Sequence, residues 1–292
     1  MFEEIKENIY FIEGLQNAKY PYSNSILING ETENILIDCG FGSKIIRKLR
    51  KMYKIDKILI SHCHEDHTKD LRYLKNSKIY IHPYDRPGVE STQYLRKIYG
   101  IVDEKYDEMF NMFMNSIGFK EMKIYQTFED HDIFDLGNCK IEIIHTPGHS
   151  AGHCCFFVHP DILFLSDIDL ASFGPWYGAI DCNIQDFIDS IKKIMQMNTK
   201  IVVSSHKGIF KSNIKERLQI YLDKIYERDR IIIDNLGNGM TIDDLARKAL
   251  IYGKFPEPKE LFYIAEKIML KKHLDNLVSN KKIYEKNGRY FV

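Results

Sequence analysis

The segment from His62 to His67, with the sequence His-Cys-His-Glu-Asp-His, constrains the fold of this chain more than any other. It places three imidazoles and the carboxylate of Asp66 within six residues of a chain that has 11 histidines in 292. Imidazole nitrogen and carboxylate oxygen are the ligands that Zn²⁺ and similar cations select. A surface turn with accidental histidines is the simpler alternative, but it does not account for this density of ligands. The segment therefore predicts a metal site.

The spacing within this segment also predicts its backbone. His62 and His64 are two residues apart, so an extended chain points both to one side, whereas a helix would separate them. The preceding run from Ile55 to Ile60 is apolar and rich in β-formers, which predicts a strand that ends at Ser61. We expect a ligand loop after it and a helix from His67 to about Leu74. The side chain of Cys63 should point away from the ligands and pack in the core.

Three more apolar strands end at a residue that can bind a metal. Each is followed within a few residues by such a side chain: His149 in Thr146-Pro147-Gly148-His149-Ser150, Asp167 after Leu163–Ser166, and His206 after Ile201–Ser205. Pro-Gly fixes a turn, so His149 should lie on a rigid loop. Four strands that each deliver a ligand at the C-terminal end predict a shared metal site.

These motifs, in this order, resemble the metallo-β-lactamase superfamily. The pattern H-x-H-x-D-H is followed by T-P-G-H-S, a strand-end Asp and a strand-end His, and Asp38 matches the early D-x-G turn of that family. The resemblance covers residues 1 to about 210. It implies an α/β fold, an αββα metallo-β-lactamase sandwich, with a binuclear metal site at one edge.

The resemblance also implies a set of ligands for two divalent ions. His62, His64 and His149 would hold one ion, Asp66, His67 and His206 would hold the other, and Asp167 would bridge them. The set is similar to the hydrolytic dizinc branch, so zinc is the favoured ion, although such nitrogen and oxygen sites also accept Fe or Mn. Two positions differ from the family pattern: Ser166 replaces a frequent Gly, and Asp169 is a weaker alternative for the bridge.

Two ions imply hydrolysis by a metal-bridging hydroxide, because a bound metal lowers the pKa of water to about 7. Asp66 is expected to orient or accept a proton as well as bind metal. Tyr177, in the loop that holds the only Trp of the chain, is the expected hydroxyl that supports an oxyanion, with a packed aromatic loop as the alternative. His153, four residues after His149, is a candidate for a contact that supports the site or for a contact with the substrate.

The sequence divides into a catalytic domain, 1–211, and a C-terminal domain, 212–292. Within the first, residues 84–128 are rich in Tyr, Phe and Met and predict two or three inserted helices. Most of these side chains are expected to form a small core of their own, and part of the insertion a substrate wall or lid. In the second, Ser212 is expected to cap a long helix that ends near Gly237, and Thr241 a short one. A helix from Lys259 to Val278 and an Asn-Gly hairpin complete a pattern that resembles the winged helix of some superfamily members, including a mitochondrial endoribonuclease.

Charge decides between the substrates that these resemblances suggest. From residue 207 onward there are 18 Lys and Arg against 12 Asp and Glu, whereas the first 206 residues hold 23 against 29. An enzyme that follows a phosphate backbone should be basic around its catalytic groove. We therefore expect a small ester, thioester or lactone as the substrate. A metal-dependent endoribonuclease acting on single-stranded RNA is the alternative, so nucleic acid is the less favoured partner. A winged-helix protein that only senses a ligand is a third hypothesis.

The composition fits an ordinary globular enzyme, with 44% hydrophobic and 28% charged residues. The six cysteines have no framework spacing, and the N-terminal residues lack the pattern of a signal peptide. These features predict a cytoplasmic protein with free thiols and no membrane partner. A homodimer is left open.

Overall fold

Two β-sheets packed face to face form the centre of the protein. The computed structural model describes residues 2–292. The first sheet has the strand order β1-β2-β3-β4-β5-β6-β7 and the second the order β13-β12-β11-β10-β9-β8. The first contains β1 (Phe2–Lys6), β2 (Ile9–Ile12), β3 (Ser25–Asn29), β4 (Asn34–Ile37), β5 (Lys57–Ile60), β6 (Lys78–Ile81) and β7 (Gln126–Thr127). The second contains β8 (Ile133–Asp135), β9 (Lys140–His145), β10 (Cys154–Val158), β11 (Ile162–Ser166), β12 (Ile201–Ser204) and β13 (Gly208–Phe210).

Helices cover both outer faces of the sheets, and the expected αββα sandwich is confirmed. They are α1 (Leu15–Ala18), α2 (Ser43–Met52), α3 (Glu65–Thr68), α4 (Arg86–Glu90), α5 (Thr92–Ile98), α6 (Asp107–Ile117), α7 (Ile184–Met195), α8 (Ile214–Asp234), α9 (Ile242–Ala246) and α10 (Lys259–Ser279). The segment 84–128 holds three of them, as predicted. None of the helices in residues 2–292 is long and apolar enough to cross a bilayer.

The central strands are continuously apolar because both of their faces are buried. In β3, Ile26 and Ile28 face the other sheet, while Leu27 points outward to the core under α2. In β11, Phe164 faces the first sheet and Leu165 packs on the side of α7. All five of these side chains are fully buried. Strands that are covered on both sides read as unbroken hydrophobic runs, which is why the sequence shows them clearly.

Parallel pairing brings the ends of four strands to one edge of the sandwich. Strand β4 pairs with β5 and β5 with β6 in parallel in the first sheet, and β11 pairs with β12 in parallel in the second. Parallel strands end at the same edge of a sheet. Asp38, His62, Asp167 and His206 follow β4, β5, β11 and β12, and so they meet there.

The helix expected from His67 to Leu74 is wrong in its extent. The structure has a single turn, α3, and then a 3₁₀ turn at Leu71–Tyr73. Backbone bonds to a neighbouring loop explain the break. The N–H of Cys39 donates to the carbonyl of His67 at 2.8 Å, and the N–H of Asp70 donates back to the carbonyl of Cys39 at 3.0 Å.

The C-terminal part consists of α8, α9, α10 and a hairpin of β14 (Tyr284–Lys286) and β15 (Arg289–Phe291). The predicted cap at Ser212 is wrong, because α8 begins after Asn213, which has a φ of 54° and makes no capping bond through its side chain. The cap at Thr241 is confirmed by a reciprocal capping box with Asp244. Leu218 and Leu222 of α8 share a core with α7 and β11. The packing is therefore continuous across residue 211, and the winged-helix domain stays a prediction.

Candidate metal centre

The structure brings the seven predicted ligand side chains together at the edge of the sandwich. In one group, Nε2 of His149 lies 3.2 Å from Nε2 of His62 and 2.9 Å from Nδ1 of His64. In the other, Nε2 of His206 lies 3.4 Å from Oδ2 of Asp66. Candidate ligand atoms within 4.8 Å of one another form the sets His62-His64-His149, Asp66-His67-His206 and His62-His67-Asp167.

Asp167 lies between the two groups and presents one oxygen to each. Its Oδ2 is 3.3 Å from Nε2 of His149, and its Oδ1 is 3.1 Å from Nε2 of His67 and 3.5 Å from Nε2 of His206. Asp169 turns back on its own loop, where Oδ1 accepts the N–H of Ala171 at 2.9 Å. The geometry therefore favours Asp167 over Asp169 as the carboxylate between two ions.

Hydrogen bonds on the far side of four imidazoles assign their tautomers. Nδ1–H of His67 donates to Oδ2 of Asp38 at 2.7 Å, that of His206 to the carbonyl of Ala18 at 2.8 Å, and that of His149 to the carbonyl of Trp176 at 2.9 Å. Ser61 donates its own proton to Asp38 at 2.8 Å, so its oxygen can accept from Nδ1 of His62 at 3.0 Å. Each ring then turns an Nε2 lone pair to the cluster.

These lone pairs fit divalent cations. Nε2 of His67 and Oδ1 of Asp167 are buried without a hydrogen-bond partner among residues 2–292, and such buried polar atoms are costly unless something binds them. Burial and neighbouring imidazoles lower the pKa of His62 well below its usual range, and burial lowers the pKa of His64 to about 3. Burial alone would raise the pKa of Asp167, but the imidazoles of His67 and His206 hold it well below its usual range. Burial alone would lower the pKa of His67 and His206, but Asp167 and the neighbouring carboxylates raise both well above their usual range. Neutral imidazole and ionised carboxylate are the forms that bind metal, so an ion held by these two side chains would displace protons from them.

Asp38, which follows β4, organises the cluster from behind. Its carboxylate accepts the Nδ1–H of His67, and it also accepts both the backbone N–H and the hydroxyl of Ser61 at 2.8 Å each. Ser166 in turn donates to the oxygen of Ser61 at 2.7 Å. The serine that replaces the usual glycine before Asp167 thus continues this network into the second sheet.

His153 supports Asp167 and does not line the cavity. It is fully buried, its Nδ1 contacts Thr146, and its Nε2 accepts the backbone N–H of Asp167 at 3.2 Å. Of the two roles considered for His153, the structure places it in the supporting one.

Asp85 is a residue that the sequence analysis missed. Its buried carboxylate accepts the N–H of Cys63 at 2.9 Å, the hydroxyl of Ser150 at 2.7 Å and the N–H of Gly152 at 2.6 Å. It therefore ties the loop of His62 and His64 to the loop of His149. The same signal that found the ligands, a polar residue after an apolar strand, was present, because Asp85 follows β6 in the sequence His-Pro-Tyr-Asp.

The role expected of Tyr177 is wrong in this structure. Its side chain is fully buried, and its hydroxyl lies 2.6 Å from Nε2 of His273 and accepts from Nη1 of Arg228 at 2.9 Å. Both partners belong to the C-terminal helices, so the hydroxyl points away from the ligands. Neighbouring residues in a loop point in different directions, and here Trp176 faces the cluster, with its ring 5.3 Å from that of His64.

A cavity of about 560 Å³ opens directly onto the ligand cluster. The ligands His64, Asp66, His149, Asp167 and His206 form its floor. Its walls are mainly aromatic and aliphatic, and they come from the inserted helices, the Trp176 loop and the C-terminal part: Tyr99, Ile101, Phe110, Phe113, Phe173, Trp176, Tyr252, Pro256, Leu261, Phe262 and Ala265. Glu65, also at the cavity, is held by the hydroxyls of Tyr20 and Tyr99.

Comparisons with known proteins agree with this fold. A metallo-beta-lactamase fold-containing protein of Sulfurisphaera tokodaii is 24% identical over 76% of this chain and 85% of its own length. An atrochrysone carboxyl ACP thioesterase of Aspergillus fumigatus is 21% identical over 74% of this chain, and the match spans 60% of that longer protein. The crystal structure of a metallo-beta-lactamase family protein from Thermus thermophilus superposes with a TM-score of 0.70 at 18% identity, covering 98% of this chain and 99% of that one.

The family description "Metallo-beta-lactamase superfamily" matches residues 20–206. This range includes all seven side chains of the cluster and well over half of the chain. The protein is therefore a member of the metallo-beta-lactamase superfamily and a hydrolase of that family.

Proposed function

We propose that this protein uses two divalent ions to hydrolyse a small ester, thioester or lactone with an apolar acyl group. The observation that carries the proposal is the cavity, whose apolar walls lead to the ligand cluster at its floor. Pockets with apolar walls and a few polar groups bury the apolar part of a small ligand and orient its polar end. The acyl group would lie along the aromatic walls, with the scissile carbonyl at the cluster.

The donor set supports two ions. His62, His64 and His149 would hold one, Asp66, His67 and His206 the other, and Asp167 would contact both. Bound ions of this kind lower the pKa of a coordinated water to about 7 and polarise the carbonyl under attack. Zinc is the proposed ion, as such ligands favour it, although Fe or Mn would also fit. Zinc and a homodimeric state stay predictions.

We propose that Asp66 orients or accepts a proton during hydrolysis. Asp66 is 5% exposed and lies both among the ligands and at the cavity, where it would meet a substrate. An Asp66→Asn variant that keeps its metal content should lose most of its kcat. An unchanged kcat at full metal content would remove Asp66 from proton transfer.

The charges at the cavity support an acyl substrate over RNA. Apart from the proposed ion ligands, the lining has two exposed lysines, Lys19 and Lys254, against the carboxylates of Glu65 and Asp169. A channel for a polyanion needs many basic contacts along its length. The positive charge of the C-terminal part therefore does not by itself favour the endoribonuclease alternative.

A panel of substrates tests the proposal. The metal-loaded enzyme should cleave acyl thioesters or esters, or a homoserine lactone, with kcat/KM that rises as the acyl chain lengthens. It should leave single-stranded RNA and bis(p-nitrophenyl) phosphate intact. His62→Ala should abolish turnover, while His131→Ala, which changes a largely exposed histidine outside the cluster, should not. RNA cleavage that vanishes in His62→Ala, without ester or thioester cleavage, would overturn the proposal.

A further inference from the structure

The loop of residues 173–177 is held against α8 by one buried guanidinium. Arg228 is 5% exposed. Its Nη2 donates to the carbonyl of Phe173 at 2.5 Å, and its Nη1 donates to the carbonyl of Pro175 at 2.5 Å and to the hydroxyl of Tyr177 at 2.9 Å. These three bonds fasten both ends of a five-residue loop to one side chain.

The fixed part of this loop includes the carbonyl that orients a predicted ligand. Nδ1–H of His149 donates to the carbonyl of Trp176 at 2.9 Å. Trp176 lies between Pro175 and Tyr177, the two residues that Nη1 of Arg228 binds. A bond to the far nitrogen of a ligating imidazole fixes its tautomer and direction. The position of Trp176 therefore sets the direction of the Nε2 lone pair of His149.

The charge on Arg228 is not used for an ion pair. No carboxylate in residues 2–292 lies within 4.0 Å of its nitrogens, and the adjacent Asp229 accepts from Nδ1 of His273 at 2.7 Å instead. Burying an unpaired cation is costly unless its donors are satisfied. Here the loop accepts three hydrogen bonds from the guanidinium. At Gly174, an added Cβ would lie 2.6 Å from Cβ of Lys224 on α8, so helix and loop also touch without a gap.

We propose that Arg228 is a positioning residue for the ion site formed by His62, His64 and His149. It acts through the loop, because it fixes the Trp176 carbonyl that orients His149. The second group, Asp66, His67 and His206, makes no hydrogen bond to this loop, so Arg228 does not position it. The C-terminal part thus completes one of the two ion sites. The role of Arg228 at the ion site rests on the proposed function, whereas its role in holding the loop does not.

The only Trp of the chain reports the loop directly. Its ring packs against the rings of His64 and His149, and its Nε1–H donates to the hydroxyl of Tyr252 at 2.7 Å. In the metal-free protein, Arg228→Met should release the loop and raise the acrylamide quenching constant of Trp176 at least twofold. Arg230→Met is the matched control, because it removes the same charge from an exposed position two residues along α8.

Metal titration with a chromophoric chelator then separates positioning from general stability. Arg228→Met should weaken one zinc equivalent about 10–100-fold, the usual effect of losing such an outer contact, and leave the other unchanged. Arg228→Lys should recover part of the lost affinity. Tyr177→Phe removes one acceptor of Arg228 but keeps the aromatic ring. It should also raise the quenching constant of Trp176 and weaken the binding of the same zinc equivalent. This variant decides the test if Arg228→Met does not fold.

Three outcomes would overturn the inference. Quenching equal to that of Arg230→Met would show that Arg228 does not hold the loop. Equal weakening of both zinc equivalents would show a merely structural role, and a Tyr177→Phe variant identical to wild type would exclude the network. A protein that shows the fluorescence change yet binds no zinc would keep the loop assignment and remove the proposed function.

Discussion

Gly148→Ala is the substitution whose effect on the cluster follows most directly from the coordinates. Gly148 precedes His149 and has a φ of 129°, which L side chains rarely adopt. An added Cβ would lie 2.3 Å from both the N and Cα atoms of Phe187 at the start of α7. Because these are backbone atoms of a helix, the loop must yield.

The size of the shift sets the size of the effect. Relieving a 2.3 Å contact to an ordinary separation near 3.4 Å moves the loop by about 1 Å. The bond from Nδ1 of His149 to the carbonyl of Trp176, now 2.9 Å, would then lengthen beyond hydrogen-bond distance. Backbone strain and overpacking each cost about 1–3 kcal/mol. We expect a loss of about 3 kcal/mol in the free energy of unfolding and about a 10–100-fold loss in the affinity of one ion.

Thermal unfolding and zinc titration measure the two effects. A loss of about 3 kcal/mol corresponds to a decrease in Tm of roughly 6–12 °C for a chain of this size. The control is Gly288→Ala, at a turn glycine with a φ of 73° and no atom within 4 Å of an added Cβ, which carries the strain without the contact. If Gly148→Ala has the same Tm as Gly288→Ala and binds both ions as tightly as wild type does, the close approach to Phe187 does not position His149.

Three further substitutions test the contacts around the cluster. Asp38→Asn should weaken the ion at His67 about 10–100-fold in the same titration, because Asp38 accepts its Nδ1–H at 2.7 Å; equal affinity would contradict this role. Asp85→Ala should lower the free energy of unfolding, measured in urea, by about 2–4 kcal/mol, because it leaves three buried donors without their acceptor. A loss under about 1 kcal/mol would refute this role of Asp85. Burial and His145 lower the pKa of folded His82 to about 4, whereas unfolded histidine has a pKa near 6.5. The unfolded chain therefore binds the proton first, and wild type should lose stability relative to His82→Phe as pH falls from about 6.5 to 4; a difference that does not vary with pH would contradict this.

The ligand cluster was predictable because its chemistry is local in the sequence. His62, His64, Asp66 and His67 lie in one run, and His149 follows a Pro-Gly turn. The strand before this run, β5, is buried at Ile58, Leu59 and Ile60, so its apolar pattern is easy to recognise. By contrast, β1 has the sequence Phe-Glu-Glu-Ile-Lys. It is a partly exposed strand at the edge of its sheet, so its sequence contains no apolar run.

The error at Tyr177 has a different cause. The sequence located the loop next to Asp167 but did not determine which of its side chains faces inward. That depends on Arg228 and His273, which are 51 and 96 residues away and come together only in the folded chain. The three bonds of Asp85 likewise join segments that are far apart in the sequence.

The most direct test of the central claim is a zinc titration of the metal-free enzyme, followed through the hydrolysis of its best acyl ester or thioester. The geometry predicts that two equivalents bind, that hydrolysis appears as they do, and that a chelator abolishes it. Asp167→Asn should reduce both affinities, because its two oxygens lie 3.3 Å from His149 and 3.1 Å from His67. Binding of one equivalent or none, or hydrolysis that survives removal of the metal, would contradict the two-ion centre.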